Sequence, residues 1–293
     1  MIYRLYFRDP AVPTGGAVVP GFVERRTTTG TWVVGPDARL ALAREARIVF
    51  LIHGFNVALS AGRDRLLRFS EELSSQRGAA LVSVLWPGDH WAGPLSYPFE
   101  GGDADDTAER LAAFVDELAL PAHVPLAFVA HSLGCRVALE ALRRLPGRSR
   151  DVTEVCLLAP AVDNDCLAHL NKYRTAVARL NASGKPTRFC VVHSVEDEVL
   201  RFAYPVGDWL RSVFTLWRDD PGFALGYKGP RALTEPRPGD IPANVSSVAV
   251  GSFRVDHDDY LPLDGQPELS LNRRASARFT DAFLAGGLAP YLP

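Results

Sequence analysis

The chain has 293 residues, of which 47% are hydrophobic and 23% charged, and its 32 basic and 34 acidic side chains leave a net charge of −2. This length suits two ordinary domains or one large α/β domain, which would bury roughly 75% of its unfolded surface. The near-neutral balance, with no basic stripe, argues against a nucleic-acid binder, and the apolar content argues against a wholly disordered chain. No stretch reaches the roughly 20 apolar residues of a membrane span. The opening Met1-Ile2-Tyr3-Arg4-Leu5-Tyr6-Phe7-Arg8-Asp9-Pro10 holds no apolar core of secretory length, so a cytoplasmic location is the expectation. The cysteines Cys135, Cys156, Cys166 and Cys190 lack paired spacing, and Cys156 and Cys190 lie inside apolar runs, as buried reduced thiols do.

In chain order, residues 3–7 and 31–34 read first, as short strands forming an antiparallel edge. From about residue 47, apolar runs of strand length follow at 48–52, 80–86, 126–130, 155–158, 189–192 and 245–250. Continuous runs of this kind suit strands covered on both faces. Between them lie helical patterns marked by Leu66, Leu67, Phe69 and Leu73, by Leu111, Phe114, Val115 and Leu118, and by Ala138, Ala141, Leu142 and Leu145. The polar stretch 165–174 also reads as a helix. Alternation of this kind predicts a mostly parallel, doubly wound sheet flanked by helices, in one domain spanning residues 1–293. Residues 201–244 interrupt the alternation with Phe202, Tyr204, Trp209, Phe214, Trp217, Phe223 and Tyr227, then a proline-rich run. They read as a small cap-like insertion over the carboxyl ends of the strands, with an ordinary helix plus surface loop as the alternative.

The sharpest chemical feature is Ala130-His131-Ser132-Leu133-Gly134, between a predicted strand and a predicted helix. A tight strand-to-helix turn exposes its central hydroxyl for attack and needs small residues two positions to either side, which Ala130 and Gly134 supply. Ser132 is the candidate nucleophile. A serine needs an adjacent base oriented by a third group. Three histidines follow it: His169 in the polar stretch 165–174, His193 closing a strand, and His257 just after the last strand. His257 is the candidate base. For the acid, Asp197 in the loop after residue 192 is preferred, with Asp163 after the preceding strand as the alternative. Backbone N–H groups of Leu133 and Phe55 are the candidate oxyanion donors, the latter in the turn His53-Gly54-Phe55-Asn56.

Expected pocket residues are His53, Asn56, Trp86, His131, Phe202 and Tyr227. The aromatics Trp86, Trp91 and Tyr97, with those of 201–227, suggest an enclosed pocket favouring short or medium acyl chains. With no HExxH pair, no Cys/His cluster and no ligand spacing in the acidic segment around His257, neither a metal nor another cofactor is expected.

These strings, with Leu85-Trp86-Pro87-Gly88, Leu158-Ala159-Pro160-Ala161-Val162-Asp163, Ala224-Leu225-Gly226-Tyr227-Lys228-Gly229-Pro230 and His257-Asp258-Asp259-Tyr260-Leu261, resemble the α/β-hydrolase superfamily over residues 45–290. The chain is similar to a branch of poorly characterised bacterial members. The resemblance implies a Ser132–Asp197–His257 triad and hydrolysis of a carboxylic ester, with a small-molecule acyl substrate as partner. A thioesterase, amidase or peptidase would use the same residues. A non-catalytic binding module would be marked by loss of one of them.

Overall fold

The computed structural model describes every residue except 90–96, 146–149, 169–171, 182, 202–222, 232–240, 264–269, 289 and 292–293, and describes 97–101 by backbone alone. Nine strands form one sheet: β1 (Ile2–Tyr6), β2 (Phe22–Arg26), β3 (Trp32–Val34), β4 (Ile48–Ile52), β5 (Ala80–Leu85), β6 (Pro125–His131), β7 (Asp151–Leu158), β8 (Arg188–His193) and β9 (Val245–Ala249). Their spatial order is β3-β2-β1-β5-β4-β6-β7-β8-β9. The β1–β2 and β2–β3 pairs are antiparallel, and all other neighbours are parallel. The doubly wound sheet with an antiparallel amino-terminal edge is the architecture the apolar runs imply. Three elements escape the pattern reading. β2, Phe-Val-Glu-Arg-Arg, is short and half polar, and a seven-residue helix α1 (Pro36–Leu42) precedes β4. The stretch 165–174 is not one helix: its described residues form turns, and a single helical turn, α5 (Arg174–Val177), follows.

The central strands are buried on both faces, which is why they read as unbroken apolar runs. Every residue of β4 and β5 is buried. Alternate side chains feed two separate cores. On one face Phe50, Val82 and Phe128 join Leu111, Phe114, Leu139 and Leu142 of α3 (Tyr97–Glu117) and α4 (Gly134–Arg144). Phe50 and Phe128, paired across β4 and β6, stack at 5.1 Å. On the other face Val49, Leu51 and Val129 meet Leu66 and Phe69 of α2 (Leu59–Glu72) and Phe279 and Phe283 of the carboxy-terminal helix Leu271–Leu284.

Between β4 and its neighbours the chain changes direction: it goes first to β5 on one side and then to β6 on the other. Loops at the carboxyl ends flanking such a reversal form a crevice where ligands bind in this class of sheet. The turns after β4, β5 and β6, and the loops after β7, β8 and β9, all emerge at that end.

Candidate active site

Ser132 sits between β6 and α4 at φ +54°, a left-handed conformation that costs a non-glycine residue strain. The turn is held from all sides. Ser132 N–H donates to the Leu158 carbonyl at 3.0 Å, and its own carbonyl accepts from Cys135 N–H at 3.0 Å and Ala161 N–H at 3.2 Å. Close packing explains the small residues around it. A Cβ on Gly134 would lie 2.3 Å from the His53 carbonyl oxygen, and one on Gly54 would lie 2.7 Å from Ser132 Cβ. Gly134 and Gly54 thus let the elbow and the turn after β4 touch.

His257 opens a short 3-10 turn after β9, and its Nε2 lies 2.9 Å from Ser132 Oγ. Its Nδ1 lies 2.8 Å from Asp197 Oδ2. The carboxylate can only accept, so Nδ1 carries the proton and Nε2 is left to accept from the Ser132 hydroxyl. Asp197 is completely buried, and its second oxygen accepts the Leu200 N–H at 2.8 Å. Asp163, the alternative acid, is exposed on the loop after β7, where its backbone bridges to Ala224.

Leu133 precedes the first turn of α4, where backbone N–H groups lack helical partners, and its N–H has no acceptor among the described residues. Phe55 is half-buried in the turn after β4, which abuts the serine through Gly54. Asn56 is exposed at φ +56°, and its N–H donates to the Gly88 carbonyl.

The other expected pocket residues are placed differently. His53 and Trp86 present almost no surface and are occupied with each other. Their rings stack at 5.7 Å, Trp86 Nε1–H donates to the His53 carbonyl at 2.9 Å, and His53 Nε2 accepts the Trp86 N–H at 3.4 Å. Burial pushes the His53 imidazole down to about 4. The pair braces the turn from behind, which corrects the reading of both as pocket wall. His131 is also buried, with Nε2 3.0 Å from the His257 carbonyl. Tyr227 is half-buried on the helical turn α6 (Leu225–Lys228). Phe202 and Trp91, and the side chain of Tyr97, lie outside the described residues, as does most of the 201–244 insertion.

Residues 33–211 match the family described as alpha/beta hydrolase of unknown function, DUF900. The chain belongs to that family. No curated protein matches this α/β hydrolase in sequence. Among solved structures, esterase PE8 is similar at 14% identity and a TM-score of 0.43, over 83% of this chain and 93% of that one. A carboxylesterase from Mesorhizobium loti is similar at 17% identity and a TM-score of 0.38, over 84% and 92%. A thermophilic esterase of Thermogutta terrifontis is similar at 12% identity and a TM-score of 0.45, over 92% and 91%. With TM-scores below 0.5, these likenesses leave the chemistry of this hydrolase to be argued from its own side chains.

Two supports of the site have roles that the sequence does not reveal. Arg8, fully buried just after β1, donates to Asp89 Oδ1 at 2.5 Å and to the carbonyls of Trp86, Val12 and Gly15. Burial raises the Asp89 carboxyl even though Arg8 pulls it back. The pair fixes the loop after β5, which in turn accepts the Asn56 N–H through Gly88. Nothing periodic links residue 8 with residue 89. The second support is the string Ala224-Leu225-Gly226, legible as a motif but not as a wedge. Gly226 N–H donates to Pro160, its carbonyl accepts from Ser194 N–H, and a Cβ there would lie 2.3 Å from the Ala159 carbonyl carbon. It joins the loop after β7 to the loop that carries Asp197. Among the described residues, no cluster of three His, Cys, Asp or Glu could hold a metal ion, and no helix is long and apolar enough to cross a membrane.

Proposed function

We propose that this α/β hydrolase is a serine hydrolase that cleaves a carboxylic ester through an acyl-enzyme intermediate. One observation carries the reading: Ser132 Oγ, His257 Nε2, His257 Nδ1 and Asp197 Oδ2 form an unbroken hydrogen-bonded line, with contacts of 2.9 and 2.8 Å. Ser132 Oγ attacks the acyl carbon while His257 Nε2 takes its proton. The Asp197 carboxylate stabilises the imidazolium so formed and keeps its tautomer. Leu133 and Phe55 N–H groups receive the oxyanion of the tetrahedral intermediate. Collapse breaks the bond to the leaving oxygen, which accepts the proton from His257 and departs as the alcohol. Water, activated by the same imidazole, then frees the acid and restores Ser132. The whole of residues 1–293 serves as one hydrolase domain in this reading.

The test is turnover on p-nitrophenyl esters of graded length beside matched thioester and anilide analogues. Esters should be hydrolysed fastest, and Ser132→Ala should lose on the order of 10⁶ in kcat, the scale seen when a nucleophilic serine is removed. Preferential cleavage of the anilide or thioester would move the reading to an amidase or thioesterase. Wild-type turnover by Ser132→Ala would end it.

A further inference from the structure

A base that takes a proton from Ser132 and returns it to a leaving group works only while its ring stays aligned with both partners. That alignment is inherited from the peptide of residue 257. Both backbone polar groups of residue 257, its N–H and its carbonyl, are held by side chains, each from a different part of the site. The carbonyl accepts from His131 Nε2–H at 3.0 Å. A carbonyl cannot donate, so His131 carries its proton on Nε2, and burial keeps this imidazole neutral by pushing its pKa well below the usual range. The two histidine rings lie 4.9 Å apart.

The N–H of His257 donates to Asp256 Oδ1 at 2.7 Å. The same oxygen accepts the N–H of Glu198, the residue after Asp197, at 3.3 Å. Asp256 is itself fixed by a reciprocal cap, its N–H donating to Asp259 Oδ2 at 3.1 Å. One support therefore ties the base to the residue before the nucleophile, and the other ties it to the residue after the acid.

We propose that His131 and Asp256 are positioning residues that clamp the His257 peptide between the nucleophile elbow and the acid loop. The proposal rests on the serine-hydrolase reading above. It makes His131 a support for the base, and not the pocket residue that its place beside Ser132 suggests.

The experiment compares kcat and KM on one p-nitrophenyl ester, with melting temperature, for two sets of variants. A glutamine amide nitrogen reaches the place of imidazole Nε2, and an asparagine amide nitrogen only that of Nδ1. H131Q should stay within about threefold of wild-type kcat, while H131N and H131F fall about 10- to 100-fold, with KM changed less than twofold. Asp256 is exposed, so its variants read the clamp with the core intact. D256A should lose about 10-fold in kcat, and D256N, which keeps the acceptor oxygen, should stay close to wild type. The proposal is overturned if H131N and D256A turn over at the wild-type rate, if H131Q is as impaired as H131F, or if the changes fall on KM alone. Ser132→Ala, run in parallel, separates the two claims. Wild-type turnover there would sink the serine-hydrolase reading, whereas loss on the order of 10⁶ there beside wild-type D256A would sink only the clamp.

Discussion

His257 has an alcohol at one nitrogen and a buried carboxylate at the other, and in the proposed serine-hydrolase reading the second contact selects Asp197 as the acid. Asp197→Asn keeps the shape of the side chain but no longer fixes the required tautomer, so kcat should fall by roughly 10⁴. Asp163→Asn, at an exposed position on the loop after β7, should change kcat by less than tenfold. A crippled Asp163→Asn beside a mild Asp197→Asn would place the acid one strand earlier. Ser132 was legible because its signal is local: a strand, a small-x-Ser-x-small turn and a helix within a dozen residues. Asp197 and His257 were legible from the order of the strands they follow. His53 and Trp86 were misread because a polar or aromatic residue at a strand end looks the same whether it faces a crevice or a neighbour. Strand register settles the matter. Ile52 pairs with Val84, which sets His53 beside the end of β5 and against Trp86.

At the scale of elements, register also creates the Arg8–Asp89 pair. Tyr6 lies opposite Leu85 in parallel β1 and β5, and Phe7 N–H continues the ladder to the Leu85 carbonyl, so the residues that follow arrive together. Hydrophobic patterning located β1 and β5 but had no means of pairing them, since 78 residues separate Arg8 from Trp86. Breaking a buried ion pair leaves one charge without compensation. Arg8→Met and Asp89→Asn should therefore each lower unfolding stability by about 3–5 kcal/mol, read from urea titrations. The double variant should cost clearly less than the sum of the two, because both remove the same contact. Full additivity would show that the pair is not coupled. β2 was missed for a related reason: as a polar strand near the sheet edge, covered by little, it lacks the apolar run that marks the central strands.

For the whole molecule, the buried imidazoles set a pH limit. Burial lowers His53 from 6.5 to about 4 and lowers His131 well below its ordinary value. Above pH 6.5 each is neutral in both folded and unfolded chains, so neither affects stability. As pH falls below 6.5 the unfolded chain takes up protons that the folded chain refuses, and stability is lost until the folded pKa is reached. Each group should contribute a slope of about 1.4 kcal/mol per pH unit in this window, giving about 3 kcal/mol for His53 by pH 4. Denaturation measured between pH 7 and pH 5, before most carboxylates titrate, should show this decline. A flat profile would mean that the two rings accept protons without unfolding.

The central claim is that the Ser132 hydroxyl at the elbow is the nucleophile, and covalent labelling tests it most directly. Incubation with a fluorophosphonate, followed by intact mass and peptide mapping, should find one phosphonyl group per chain, on Ser132, with labelling strongly slowed in His257→Ala. An adduct on another residue, or steady ester hydrolysis by a chain whose Ser132 stays unmodified, would contradict it.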